Sequence, residues 1–561
     1  MACYPRTVAA FAAMGALEHL ERVARLDAIW EAIRRGDTAA VDDDLYSQLP
    51  TSNSHLPTDY DLIYAGGGLG ILHAVVMARY GYRVLLFDRS QVGCAHREWN
   101  ISRQELCALV EVGFCTWDEL RDVIMAEYER GVVRFHAGPG EQAIELWMPD
   151  VLNVALDANA LLQLARRKLE AAGGVVLDRR VFRRVLVSDR DPVRVRVELE
   201  REDGATEQHS GRLLLDGMGS GSPLALRRSG GSPFAGVCPT VGTVAAGFVG
   251  GAAPDEHNPR VGDILVSVAH AQGGRQYMWE GFPGRGDELT VYLFYYDTLT
   301  KDQSIANPQL LTPNSEPRTL MRLFEEYFTQ LPTYKRPGPD FRHVKPLYGY
   351  IPARHSLRRQ EAPLLRGVLP IGDSAAQQSP LTFCGFGSHV RNLRRTTALL
   401  HQALRGELLA PAQLRSINAY QANVSLNWVF SRFMQPWDSP EDVNRLQNVF
   451  LAVLNDLGHD MARRFFRDQM RWGDYHRMVL GMFRRNPRIV RIAWRVLGAG
   501  GVCQWIADYL AYSRTALAAW CARRLGSGGR AALAVGIGRA APALGLRVAA
   551  RFAEWHAMGW M

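Results

Sequence analysis

Gly66, Gly67, Gly68 and Gly70 stand directly after the β-prone run Leu62–Tyr64, and Asp88 follows 20 residues beyond Gly68. Residues 71–80 carry helix formers at apolar spacing. Gly81 stops that run, and Tyr82–Phe87 forms a second β-prone stretch that ends at Asp88. Strand, glycine turn, helix and second strand make the β–α–β unit that binds dinucleotides. Without Cβ atoms the turn can bring its N–H groups against a pyrophosphate, and the helix start adds the positive end of its dipole. A carboxylate at the end of the second strand is placed to accept from ribose hydroxyls. The loop register has two solutions. Gly66 and Gly68 as the first two glycines put Ile71 third; Gly67 and Gly70 as the last two put Ala65 first. The candidate contacts are Ala65, Gly66, Gly67, Gly68, Gly70 and Asp88.

A second chemical stretch covers residues 368–404. A strand runs into Gly372 and Asp373, a loop carries Pro380, and Gly385-Phe386-Gly387 opens a helix. This order resembles flavin hydroxylase-type enzymes. There the aspartate holds the ribityl chain and the helix N-terminus faces the isoalloxazine, where it favours negative charge on the ring. Just past Asp88 lies a cluster of His96, Arg97, Glu98, Trp99 and Arg103. In flavin enzymes this connection often sends an arginine over the cofactor, which makes Arg97 and Arg103 candidates. The run RLLLDGMGSGSPL, residues 212–224, reads as a strand returning the chain to the cofactor at Asp216. Two motifs in this order, about 300 residues apart, point to FAD.

The elements that must position these residues fall into a mixed α/β pattern. Residues 1–56 read as a helical extension, because LEHLERVARLDAIWEAIRRG repeats its apolar positions at helical spacing. A Pro- and Ser-rich linker follows. Asp157 caps an amphipathic helix that Gly173-Gly174 closes. The runs VFRRVLV and VRVRVELE alternate as strands, and residues 236–300 hold a further aromatic set with few charges. The expected division is a Rossmann-type FAD-binding domain (57–180, 205–235, 345–425) interleaved with a β-sheet substrate domain (181–204, 236–344). A helical, basic region follows over 426–561.

Composition narrows the function classes. The eight cysteines form no CxxC pair and show no ligand spacing, so no metal site is expected and a reducing compartment fits. Residues 461–561 hold 17 Arg, no Lys and four acids, a charge of +13, which leaves 8 − 13 = −5 on the remainder. A basic tail on an acidic body implies an anionic partner. The tail has no nucleic-acid recognition motif, whereas Trp and Arg around apolar helices suit a membrane headgroup layer. No stretch reads as a membrane span or signal peptide. The expected location is cytoplasmic, peripheral to the inner membrane.

Several stretches together resemble the CruA/CruP family of lycopene cyclases and cyclase-like flavoproteins: REWNISRQEL (97–106), LVEVGF (109–114), WMPDVLNV, LLLDGMGSGSP, GVCPTVGT, WEGFP with YLFYYD, and GDSAAQQSPLTFCGFGSHVRNL. The resemblance runs in order from about residue 20 to about 515. It implies an apolar carotenoid substrate and closure of an end ring by proton transfer without net oxidation. It also implies reduced FAD, with NADPH as an external reductant. The chain departs from the family at Ala65/Ile71 and at Cys384. Protonating an alkene requires a carboxylic acid that stays protonated near neutral pH, which burial among apolar groups supplies. In the aromatic sheet at 277–297 the candidates are Glu280 and Asp297, with Trp279, Tyr295 and Tyr296 as ring faces for a carbocation. The alternatives are a FAD-dependent monooxygenase or prenyl/carotenoid reductase, and a non-catalytic carotenoid- or membrane-binding flavoprotein.

Overall fold

The computed structural model describes residues 3–35, 43–49, 57–190, 192–231, 236–298, 319–353, 364–376 and 385–561. Pro380 and Cys384 lie outside them. Two large sheets carry the molecule. In the first, the parallel strands Val175–Leu177, Val84–Phe87, Tyr60–Ala65, Thr206–Asp216 and Val368–Pro370 lie side by side. Val84–Phe87 is buried along its whole length, as a strand covered on both faces must be. The helices Gly70–Arg79, Ala158–Ala171 and Gly385–Arg405 pack against one another over this sheet.

The strands Val181–Val187 and Val195–Glu200 were expected in the substrate sheet. They instead extend the first sheet: Val195–Glu200 runs antiparallel to the outer half of Thr206–Asp216, and Val181–Val187 runs antiparallel to Val195–Glu200. The N-terminal extension also contributes a short strand, Tyr46–Gln48, parallel to Val185–Val187. Conversely, Arg130–Arg134 and Glu145–Pro149 lie within the expected nucleotide segment but join the second sheet. Alternating apolar residues mark these runs as strands, but their partners are set by tertiary packing.

The second sheet runs Pro337–Ala353, Gly236–Phe248, Leu289–Phe294, Met278–Pro283, Val261–Val266, Arg130–Arg134 and Glu145–Pro149. The two-residue strand Asp297–Thr298 continues alongside Gly236–Phe248. Its two faces have different covers. Trp279, Leu293 and Val241 face the helix Leu320–Tyr334 and the N-terminal helices Pro5–Ala13 and Glu18–Arg35. Met278, Phe282 and Phe294 face the C-terminal helices. Buried Asp27 pins the N-terminal extension in place: its carboxylate accepts from Leu320 N at 2.8 Å and from Tyr350 Oη at 2.6 Å.

The C-terminal region is helical throughout, from Ala422–Arg432 to Pro542–Ala557. It is tied to the nucleotide half by one buried ion cluster. Arg391, on the Gly385–Arg405 helix, donates to Glu105 and, at 2.9 Å, to Asp468. All three side chains are at most 7% exposed. Two carboxylates buried this deeply are tolerable only with the guanidinium between them. Arg391→Ala is therefore expected to cost about 3–5 kcal/mol, read as a lowered urea midpoint. An unchanged midpoint would show that the cluster does not hold these elements together.

Candidate functional site

The glycine turn is built by backbone geometry. Ala65 still belongs to its strand, and Gly66 turns the chain with φ 102°, a conformation that favours glycine. A Cβ at Gly66 would run into the carbonyl oxygen of Gly217 on the neighbouring strand end. The register therefore starts at Gly66, and Ile71 is fully buried in the third position. The Asp88 carboxylate accepts from Gly67 N and from Ser90 N, each at 2.7 Å, and so fastens the turn to the second strand. Space around Gly68 is open for 4 Å, and Gly70 begins a helix that no side chain caps. An open glycine beside an uncapped helix start is a cradle that fits a pyrophosphate.

This cradle leads into a cavity of about 200 Å³ at the junction of the two sheets. Leu69 brings the glycine turn to its wall. Asp373, Gly385 and Phe386 bring the second motif, and Arg97, Glu98, Trp99 and Asn100 bring the connection after Asp88. Trp99 stacks on Phe386 with ring centres 4.8 Å apart. Gly372 turns the strand end with φ 61°. Gly387 packs on the Glu105 carboxylate of the ion cluster, one turn before Arg391. The helix Gly385–Arg405 has no acid in its first turn, so its positive end faces the cavity uncompensated by its own side chains.

The second sheet supplies the opposite wall through Cys238, Thr240, Glu280, Phe282, Tyr292 and Phe294. Strand alternation decides who faces in. Glu280 and Phe282 share one face of Met278–Pro283, while Trp279 lies on the other, stacked on Tyr334 at 4.8 Å. Tyr295 also packs with the opposite core, and neither it nor Tyr296 lines the cavity. The expected aromatic set is thus replaced by Phe282, Tyr292, Phe294, Tyr348, Trp99 and Phe386.

Glu280 is 8% exposed, and its Oε1 has no hydrogen-bond partner among the described residues. Burial pushes its carboxyl up to about 8, so it holds its proton at neutral pH. Asp297 is also buried but sits on the two-residue strand beside Val237 and does not line the cavity. Arg103 is turned away as well. It opens the helix Arg103–Glu111, pairs with Glu127 and lies 4.6 Å over the Trp117 ring. The Asp216 carboxylate is spent locally, accepting from Ser222 Oγ at 2.6 Å and from Met218 N. Burial raises it to about 6, a shift that Ser222 opposes.

Sequence reasoning passed over Glu98. It lines the cavity 7% exposed, takes a short hydrogen bond from Lys345 on Oε1, and leaves Oε2 without a partner among the described residues. Burial raises its pKa, and the Lys345 ammonium opposes the rise. Tyr292, the residue paired with Glu280 across the strands, donates to the Glu98 carbonyl at 3.3 Å. The one sequence signal was Glu98 beside Trp99 in a charged connection; Lys345 lies 247 residues away.

No protein-family model matches the chain, and no curated protein matches it significantly. Among solved structures, the halogenase PltM in complex with phloroglucinol and FAD aligns with a TM-score of 0.51 at 14% identity, over 81% of this chain and 96% of that one. A ternary complex of aklavinone-11 hydroxylase with FAD and aklavinone gives 0.46 at 18% identity, over 68% and 69%. A geranylgeranyl bacteriochlorophyll reductase-like protein from Thermoplasma acidophilum gives 0.45 at 14%, over 78% and 99%. At these identities the likeness is one of fold, and the PltM alignment carries it: this chain shares the mixed α/β architecture of that enzyme.

The Glu280 environment makes a stability prediction. Its carboxyl titrates near 4.5 in an unfolded chain and near 8 when folded. Between those values the folded chain binds the extra proton, so stability falls as pH rises through that window. Glu280→Gln removes this dependence. Its stability relative to the parent is expected to improve from pH 5 to pH 8, by on the order of a few kcal/mol at most. Denaturant unfolding at both pH values measures it; identical pH responses in the two proteins would contradict the burial of a lone acid here.

Proposed function

We propose that this chain is a FAD-dependent enzyme that transfers protons to and from one end of a long apolar polyene, closing a ring in the manner of the lycopene cyclases it resembles. One observation carries the reading. A protonated carboxyl with no partner among the described residues, Glu280, shares a cavity with residues of both dinucleotide motifs and with six aromatic side chains. The cavity is smaller than the roughly 300–1,000 Å³ of common ligand pockets, a size for the end group of a chain rather than its whole length.

Gly66–Gly70 would hold the FAD pyrophosphate, Asp88 the adenosine ribose, and Asp373 the ribityl chain. Arg97 and the Gly385 helix start would lie beside the ring system. When bound and reduced, the flavin supplies negative charge at the cavity wall. Glu280 gives the proton on its carboxyl to the terminal alkene, and the π electrons form the new C–H bond. The carbocation is drawn to the ring faces of Phe282, Tyr292 and Phe294 and is attacked by the neighbouring double bond. Glu98, ion-paired with Lys345, accepts the proton lost as the final alkene forms. Two carboxyls in one cavity, one isolated and one paired with a cation, divide the acid and base roles.

Lycopene supplied to the reduced holoenzyme is expected to yield a product of unchanged mass. Added oxygen would instead mark a monooxygenase, and added hydrogen a reductase. Glu280→Gln is expected to lower turnover by about 100-fold or more while FAD stays bound, and wild-type turnover in that variant would remove Glu280 from the mechanism. Asp88→Ala and Asp373→Ala are each expected to weaken FAD binding about tenfold or more, roughly 1.4 kcal/mol, read by flavin fluorescence titration. Protein that takes up no FAD would sink the proposal at its base.

A further inference from the structure

The last C-terminal helices, from Ile489 on, leave much of their apolar surface exposed. Val490 and Trp494 are 62% and 60% exposed, and Leu510 and Leu517 are each 61% exposed. Trp520, Leu525 and Val535 exceed half exposure as well. The helix Gly526–Ala540 has no buried residue at all, and it meets Pro542–Ala557 through the close approach of Gly538 and Gly545. From Tyr509 to Ala553 the chain has no acid and no lysine, but it has seven arginines. Exposed Trp and Leu interleaved with Arg alone form the surface an anionic bilayer would cover. Among the described residues no helix is long and apolar enough to cross a membrane.

Beside these helices a cleft of about 860 Å³ opens between Asp442–Leu457, Trp472–Arg485 and the start of Ile489–Arg523. Five arginines line it, Arg445, Arg485, Arg488, Arg491 and Arg495, against three acids. Arg495 pairs with Asp438, and Arg485 pairs with Asp456 outside the cleft. Asp442 is occupied by the backbone N–H groups of Trp437, Asp438 and Ser439. Arg445, Arg488 and Arg491 form no ion pair among the described residues. Guanidinium groups left unpaired in a concave site match phosphate oxygens, which they bind in a bidentate fashion.

We infer that the C-terminal helices seat on an anionic phospholipid leaflet and that this cleft takes a lipid phosphate headgroup. Each of the three unpaired arginines is expected to contribute roughly fivefold in affinity, and the triple variant Arg445→Gln/Arg488→Gln/Arg491→Gln to lose about 100-fold.

Co-sedimentation of the full chain tests this with vesicles of phosphatidylcholine alone and of phosphatidylcholine mixed equally with phosphatidylglycerol. The wild type should pellet with the mixed vesicles only, and less as salt rises. The cleft variant should lose most of that binding. A control removing three exposed arginines elsewhere, Arg121, Arg190 and Arg201, should keep it, and Trp494→Ser/Leu510→Ser should weaken it. Circular dichroism confirms that each variant is folded. Three results overturn the inference. One is a cleft variant that pellets like the wild type. Another is a control that loses as much as the cleft variant, which reduces the effect to net charge. The third is displacement of the wild type by inorganic phosphate at assay ionic strength as effective as that by anionic vesicles, which makes the cleft a free-phosphate site.

Discussion

One guanidinium shared between two buried carboxylates holds the parts of this molecule in register. Arg391 sits on the helix whose first turn carries Gly385 and Phe386 to the cavity. Glu105 belongs to the helix that follows the Glu98–Ile101 strand, and Asp468 belongs to the C-terminal region. Removing a charge from water costs several kcal/mol, recovered only when the opposite charge is held at hydrogen-bond distance. The three elements therefore cannot slide independently. The stack of Trp99 on Phe386, and with it one wall of the cavity, inherits that constraint.

The opposite wall depends on a different rule, the two-residue period of a strand. The second sheet is covered on both faces, so each strand must be apolar on both, and a polar residue on either face is conspicuous. Glu280 is such a residue. Its neighbours in sequence, Trp279 and Gly281, do not share its surroundings; its cross-strand partner Tyr292 does. The same pleat that removes Trp279 and Tyr295 from the cavity leaves Glu280 with no ion-pair partner among the described residues. This isolation, rather than a specific partner, keeps its proton on. Glu98 has the reverse situation, because Lys345 reaches it from the long strand Pro337–Ala353.

The C-terminal helices show a third balance. Those nearest the second sheet bury Phe450, Phe465 and Met478 in a common core with Phe282 and Phe294. Farther along the chain many apolar side chains turn outward, and between Tyr509 and Ala553 their charged companions are arginines alone. Apolar burial thus diminishes along the C-terminal region, away from the cavity between the two sheets.

The amino-acid sequence by itself determined the local devices. The Gly66–Gly70 turn, Asp88 at the strand end, the Gly372-Asp373 strand end and the helix opened by Gly385 are all set by residues adjacent in the chain. Backbone freedom and strand or helix propensity act over that distance. The C-terminal charge excess and the candidacy of Glu280 were legible for the same reason, since a charge count and an acid in an apolar run need no partner. Tertiary structure decided everything that depends on pairing across the chain. It set Val181–Val187 in the first sheet and Arg130–Arg134 in the second, because alternation marks a strand but not its neighbour. It turned Arg103 onto Glu127 and spent Asp216 on Ser222, since each found a nearby partner at lower cost than a bare site. It also placed Glu98 opposite Glu280. A pKa is fixed by what surrounds a group in space, and the residues surrounding these two come from strands as far apart as 98 and 345.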